Sequence, residues 1–232
     1  MKKILSIGLV VFIACSSRLM AQTNSVAVAE PSANSIAVSI VYDGSGSMAD
    51  TVAGADKQPT PKYLIANKAI GSIIKQLRDY SQKKQTTIQA GMVYFVDSKI
   101  HEAVPMSTLT PASSKLFTQW AGKFTVPAGG TPLGDAIRQA QAQLASSPSI
   151  HKHILVITDG ASNTGMSPEK VMHGIRASDN PVPVYFVAFD ISDKVFDRVK
   201  KEGATVVSAS DEAQLNVQLS TILGQKILLE AE

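Results

Sequence analysis

Asp43-Gly44-Ser45-Gly46-Ser47-Met48 follows directly on the apolar run Ile36-Ala37-Val38-Ser39-Ile40-Val41-Tyr42. One carboxylate and two hydroxyls at alternate positions, separated by glycines that let the backbone bend tightly, aim three hard oxygen atoms at one point. Two later segments offer further oxygens: Thr131 in Gly129-Gly130-Thr131-Pro132, and Asp159 in Ile157-Thr158-Asp159-Gly160. Together they make a set with two carboxylates, three hydroxyls and no Cys or clustered His. Such a set suits a hard divalent cation, above all Mg²⁺, and is poor for a soft metal. A cation held by so little negative charge stays electrophilic and favours an external carboxylate in a coordination position left to water.

The elements around these residues decide whether the five can meet. Apolar runs at Ile36 to Tyr42, Thr87 to Val96, His153 to Thr158, Val182 to Phe189 and Ala204 to Ser208 read as strands. They alternate with amphipathic stretches from Pro61 to Ser81, Pro111 to Phe124, Leu133 onward, Pro168 to Ala177, Lys194 to Glu202 and Asp211 to Leu229. In the first of these, Tyr63, Ala66, Ile70, Ile73, Ile74 and Leu77 form the buried stripe. Near-continuous apolar strands between such helices predict an α/β, doubly wound, mostly parallel sheet with helices on both faces, Rossmann-like in outline. Lys99 to Val104, joined to the preceding strand by Asp97-Ser98, adds one antiparallel edge strand. Ligands of such folds bind beyond the carboxyl ends of the strands, near the switch point. Asp43 and Asp159 both end strands and Thr131 precedes a helix, so the fold itself predicts that they emerge on one edge.

Each motif also has a plainer reading on its own. Asp43 to Ser47 can be an Asx turn, Thr131-Pro132 a helix cap with Pro at the first helical position, and Asp159-Gly160 a turn. Ser45 between glycines superficially resembles a nucleophile elbow, but that motif needs glycines two residues to either side, where Asp43 and Ser47 stand. His101, His151, His153 and His173 have no context that places one beside Ser45, and His151 and His153 begin a strand, at the far edge. Gly44 and Gly46 lack the rest of a dinucleotide fingerprint or a P-loop, and an EF-hand would need a Glu where Gly54 stands. Asp190 and Asp193 follow a strand at the same edge, and Asp193 reads as a helix cap.

The three motifs in this order resemble a von Willebrand factor type A domain with its metal-ion-dependent adhesion site, over roughly residues 35–225. The resemblance implies Mg²⁺, with Mn²⁺ or Ca²⁺ as substitutes, at the carboxyl edge of the sheet. By the same resemblance Ser45 and Ser47 coordinate the metal directly, and Asp43 and Asp159 act mainly through bound water and hydrogen bonds. Thr131 coordinates directly or through water, and a partner protein supplies a Glu or Asp to complete the shell. The stretch Ala49 to Thr60 matches nothing specific in that pattern and reads either as a partner-selecting loop or as a plain one.

The 232 residues, 44% hydrophobic, are enough for one sizeable core. Met1-Lys2-Lys3, the apolar Ile4 to Ala14 and the small polar residues after it have the layout of a secretory signal peptide. Two readings of it stay open: cleavage after Ala21, or a lipoprotein box at Phe12-Ile13-Ala14-Cys15 with Cys15 as a lipid anchor. The expected organisation is therefore a signal peptide over 1–21 (1–14 for a lipoprotein), a flexible leader over 22–34 and a domain over 35–229. No segment is long and apolar enough for a membrane span, which takes about 20 residues. The net charge of +3 comes from Lys2, Lys3 and Arg18, the remainder being balanced, so no basic surface for nucleic acid is expected. With Cys15 alone, no internal disulfide forms. The expected function is an exported, non-catalytic, metal-dependent protein-binding module of the periplasm, envelope or exterior. A metal-assisted hydrolase, or an envelope structural component with a vestigial metal site, are the alternatives. The last helix ends close to the end of the sequence, which favours a simple binder over a relay to another domain.

Overall fold

The computed structural model describes residues 34–231; the signal-peptide and leader segments, with Cys15, lie outside the described residues apart from Asn34. The central strand β1 (Ser35–Asp43) is buried along its whole length. Its side chains alternate between two cores. Ile36, Val38, Ile40 and Tyr42 enter one, and Ala37 and Val41 enter the other. This period of two, with both faces apolar, is why the run reads as continuous rather than alternating.

After β1 the chain makes a 3-10 turn at Gly46–Ala49 and a short hairpin of β2 (Thr51–Ala53) and β3 (Pro59–Pro61). Helix α1 (Lys62–Lys84) then returns to β4 (Thr87–Val96), and β5 (Lys99–Thr108) folds back antiparallel to it. Helices α2 (Pro111–Lys123) and α3 (Leu133–Ala145) precede β6 (His151–Thr158). There follow α4 (Pro168–Arg176), β7 (Val184–Phe189), the short α5 (Asp197–Lys201), β8 (Thr205–Ala209) and α6 (Glu212–Ile222). The main sheet has the order β5-β4-β1-β6-β7-β8, parallel except for β5. The expected doubly wound α/β sheet with one antiparallel edge strand is therefore the observed architecture. Helices α1, α2 and α6 cover one face, and α3 and α4 the other.

Two details differ from the sequence reading. The Ala49 to Thr60 stretch is not a plain loop but the β2–β3 hairpin, whose three-residue strands and prolines left no apolar period to read. The last helix is not uniform: α6 passes into a π turn at Leu223–Ile227 and a 3-10 turn at Leu228–Ala231. Leu223, Ile227 and Leu228 stay buried through the change, and the Tyr80 hydroxyl donates to the Leu228 carbonyl at 2.8 Å. The added residue per turn keeps those side chains on the core after the regular 3.6-residue period would carry them off it.

The chain leaves β1 to build the sheet on the β4 side and returns to build it on the β6 side. The strand order thus reverses between β1 and β6, which pair in register with Tyr42 opposite Ile157. Asp43 and Asp159 stand at the carboxyl ends of these two neighbouring strands. Such a switch point opens a crevice because the loops of adjacent strands run to opposite faces.

Candidate metal centre

The structure brings all five predicted residues to this crevice. Asp43 is fully buried. Its Oδ1 accepts from the Ser45 backbone N–H at 2.8 Å, and its Oδ2 accepts from the Thr158 hydroxyl at 2.5 Å. The Asx turn considered from sequence is thus present, and it serves to turn Ser45 inward. Ser45 and Ser47 lie with their Oγ atoms 3.2 Å apart, and Ser47 Oγ donates to Asp159 Oδ1 at 2.8 Å. A Cβ placed on Gly160 would sit 3.4 Å from Thr131 Oγ1 and 4.0 Å from Ser47 Oγ, so these hydroxyls converge over a position where a side chain is missing. Thr131 is not the helix cap that its sequence context allows: Pro132 precedes α3 with no side-chain cap, and among the described residues Thr131 Oγ1 makes no hydrogen bond.

Backbone contacts hold the three loops together. Gly46 N–H donates to the Gly129 carbonyl at 3.0 Å, and Ala128 N–H to the Gly44 carbonyl at 2.9 Å. Thr131 N–H donates to Asn163 Oδ1 at 2.8 Å, and Asn163 N–H returns to the Thr131 carbonyl at 3.2 Å. Gly129 has φ +77, and a Cβ there would meet Asp97 Cα at 2.6 Å, so both conformation and space demand glycine. Behind the site, a Cβ on Gly134 would meet the Met166 carbonyl oxygen at 2.1 Å. Gly134→Ala is therefore expected to push α3 away from the loop that carries Asn163, at a cost of about 1–3 kcal/mol, read as a lower urea midpoint. An unchanged midpoint would show that the loop yields freely.

Sequence reasoning missed one member of the cluster. Lys62, the first residue of α1, is buried, and its ammonium lies 2.7 Å from Asp159 Oδ2, 3.5 Å from Asp190 Oδ2 and 3.9 Å from Asp50 Oδ2. The contact with Asp159 is a buried, charge-assisted ion pair. No sequence signal marks it: a lysine that opens a helix reads as solvated, and only its burial shows that, against the helix dipole in the first turn, it needs acids nearby. Asp193, read as a cap, instead pairs with Lys200 at 2.7 Å, and Ser192 is the capping residue.

The charges interact strongly. Burial, and after it the Asp159 carboxylate, push Asp43 up to about 6, against the pull of its hydrogen bonds from Ser45 and Thr158. Burial works to lower the Lys62 ammonium, but the carboxylates of Asp159, Asp190 and Asp50 outweigh it and hold its pKa above the usual value.

The histidines lie elsewhere. His101 stacks on Tyr94 on the outer strand β5, and His173 meets Glu202 at 3.1 Å. His151 and His153 begin β6 at the opposite edge, as their place in the sequence predicts. There His153 is buried beside Glu230, and burial, with His151 second, pushes it down to about 4. Beside the crevice, the loop from Ala161 to Ser167 and the residues around Phe196 and Arg198 enclose a cleft of about 360 Å³.

The family model for the von Willebrand factor type A domain matches residues 38–222. The chain belongs to the von Willebrand factor type A family. That match runs from within β1 to the end of α6 and includes every strand of the sheet. No curated protein matches by sequence. Among solved structures, the chain is similar to the PilB minor pilin of Streptococcus sanguinis (18% identity, TM-score 0.65, covering 85% of this chain and 61% of that one). It is similar also to the von Willebrand factor type A protein of Catenulispora acidiphila (20%, 0.64, 83% and 43%). A third is the von Willebrand factor domain of the type V pilus tip protein Mfa5 of Porphyromonas gingivalis (14%, 0.62, 89% and 98%). The chain spans about three-fifths of the minor pilin's length, and at these identities the likeness is one of fold. Among the described residues no helix is long and apolar enough to cross a membrane.

The residues of this type A domain fit a hard divalent cation. The crevice side offers oxygen donors, with a hydroxyl at Thr131 that has no other partner among the described residues and a buried Asp43 carboxyl that the Asp159 carboxylate repels.

Proposed function

We propose that this type A domain is an exported, metal-dependent adhesion or assembly module. In this reading a divalent cation, Mg²⁺ first and Mn²⁺ or Ca²⁺ as substitutes, rests on Ser45, Ser47 and Thr131. Asp43 and Asp159 hold its water shell, and a Glu or Asp of a partner protein completes the coordination. The observation that carries the reading is the convergence of Ser45, Ser47, Thr131 and Asp159 on one crevice beside the buried, mutually repelling Asp43. A divalent cation relieves that repulsion, and hydroxyl ligands leave it charge to spare for a third carboxylate. The pilus proteins of like fold support an adhesive or assembly role at the cell surface. The basic, apolar start of the sequence supports export, with Cys15 either removed or lipidated. No catalysis is assigned to the crevice: among the described residues no histidine hydrogen-bonds Ser45 to act as a base.

The test is thermal. Mg²⁺ or Mn²⁺ at about a hundred times its Kd is expected to stabilise the wild type by about 2.7 kcal/mol, whereas an Asp43→Ala, Ser45→Ala double variant is expected not to respond. A wild type whose melting curve is the same in Mg²⁺, Mn²⁺ and chelator would reject the reading.

A further inference from the structure

Asp159 is shared between two neighbours of opposite kind. Its Oδ1 accepts from Ser47 Oγ at 2.8 Å on the crevice side, and its Oδ2 meets the Lys62 ammonium at 2.7 Å on the other. Lys62 is not free to leave. Its backbone N–H donates to the Asp50 carbonyl at 2.8 Å, and Asp50 N–H donates to the Ser47 carbonyl at 2.9 Å, so the lysine is fastened to the loop that carries Ser45 and Ser47. Its side chain is 5% exposed, and two further acids, Asp190 and Asp50, close round the ammonium from outside. The carboxylate is thus pinned with one oxygen turned to the crevice and one turned away.

That orientation bears on which cation fits. Mg²⁺ demands near-octahedral geometry with single oxygens and keeps its waters, whereas Ca²⁺ takes more ligands and accepts both oxygens of one carboxylate. We propose that Lys62 is a metal-specificity-determining residue: by occupying Asp159 Oδ2 it keeps that carboxylate in the water shell, denies the site a direct two-oxygen carboxylate ligand and so tilts selection towards Mg²⁺ and against Ca²⁺. The inference rests on the metal reading above and assigns within it a task to a residue outside the five crevice residues. Lys62 acts through Asp159 and touches no cation itself, which makes it a positioning residue.

The test compares Mg²⁺ and Ca²⁺ binding by calorimetry in wild type, Lys62→Met and Lys62→Gln. Met keeps the length and apolar stem of the side chain and removes the charge; Gln serves the same purpose if Met does not fold. The ratio of the Ca²⁺ Kd to the Mg²⁺ Kd is the quantity read, since damage to the fold weakens both cations together and leaves the ratio alone. The expected result is a fall in that ratio of about tenfold or more on removal of the ammonium, with Lys62→Arg keeping the wild-type value. An unchanged ratio in a wild type that binds cations overturns this inference and leaves the metal reading standing. A wild type that binds neither cation overturns both.

Discussion

In metal-free protein, Asp43→Asn is expected to stabilise the fold at neutral pH and to lose that advantage in acid. The Asp43 carboxyl has a folded-state pKa of about 6, raised from an ordinary 3.8. A raised value means that the folded chain holds a proton which the unfolded chain has already released. The associated stability is fully present below about pH 4 and is lost as pH rises through 6. A difference of about two units corresponds to roughly 3 kcal/mol. The stability gap between wild type and Asp43→Asn, measured by urea unfolding in chelator from pH 4 to pH 7.5, should therefore widen with pH by that amount. Asn keeps an oxygen to accept from Ser45 N–H and carries no charge to repel Asp159. A divalent cation competes with the same proton, so Mg²⁺ stabilisation of the wild type should weaken as pH falls below 6. A gap that stays flat across this range would mean that Asp43 remains ionised at ordinary acidity and that the crevice tolerates both carboxylates.

Asp159→Ala is expected to be the most destabilising single change among the five. It leaves the buried Lys62 ammonium without its 2.7 Å partner, and removal of one member of a buried pair costs about 3–5 kcal/mol. Asp190 at 3.5 Å and Asp50 at 3.9 Å still face the ammonium, which puts the expected loss near the lower figure, about 3 kcal/mol. The companion variant Asp159→Ala, Lys62→Met removes both charges and should recover much of the loss. A double-variant cycle with no recovery would show that Asp159 matters through Ser47 and the loop, and that its pairing with Lys62 contributes little. Both variants are read in chelator, so cation binding does not enter the difference.

The fold and the five crevice residues were legible in the sequence for the same physical reason. Apolar runs such as Ile36 to Tyr42 and Ile154 to Thr158 are buried on both faces, and each ends in an acid where the chain leaves the core. Strand pattern and site therefore carried one signal. The hairpin at Thr51–Pro61 was illegible because strands of three residues with Pro59 and Pro61 have no period. The π turn after Ile222 was illegible because the apolar stripe of Leu215, Leu219, Ile222 and Leu223 runs smoothly into Ile227, and only coordinates show the wider turn. Lys62 was hidden by its company. On a helix that opens Lys-Tyr-Leu it reads as a solvated end residue, and the three acids that draw it inward come from Asp50, Asp159 and Asp190, far apart in the chain. Pairings of that kind are written in tertiary structure alone.

The parallel pairing of β1 with β6 also has a kinetic side. Asp43 and Thr158, which bond across that pairing, are 115 residues apart, and a parallel crossover of such span closes slowly because its loop entropy must be met before any contact forms. The crevice therefore cannot exist before β1 and β6 pair, because its oxygens stand on both strands and the loops that follow them. On the adhesive reading proposed above, the capacity to grip a partner would arise with that long-range pairing and not with any local element of the chain.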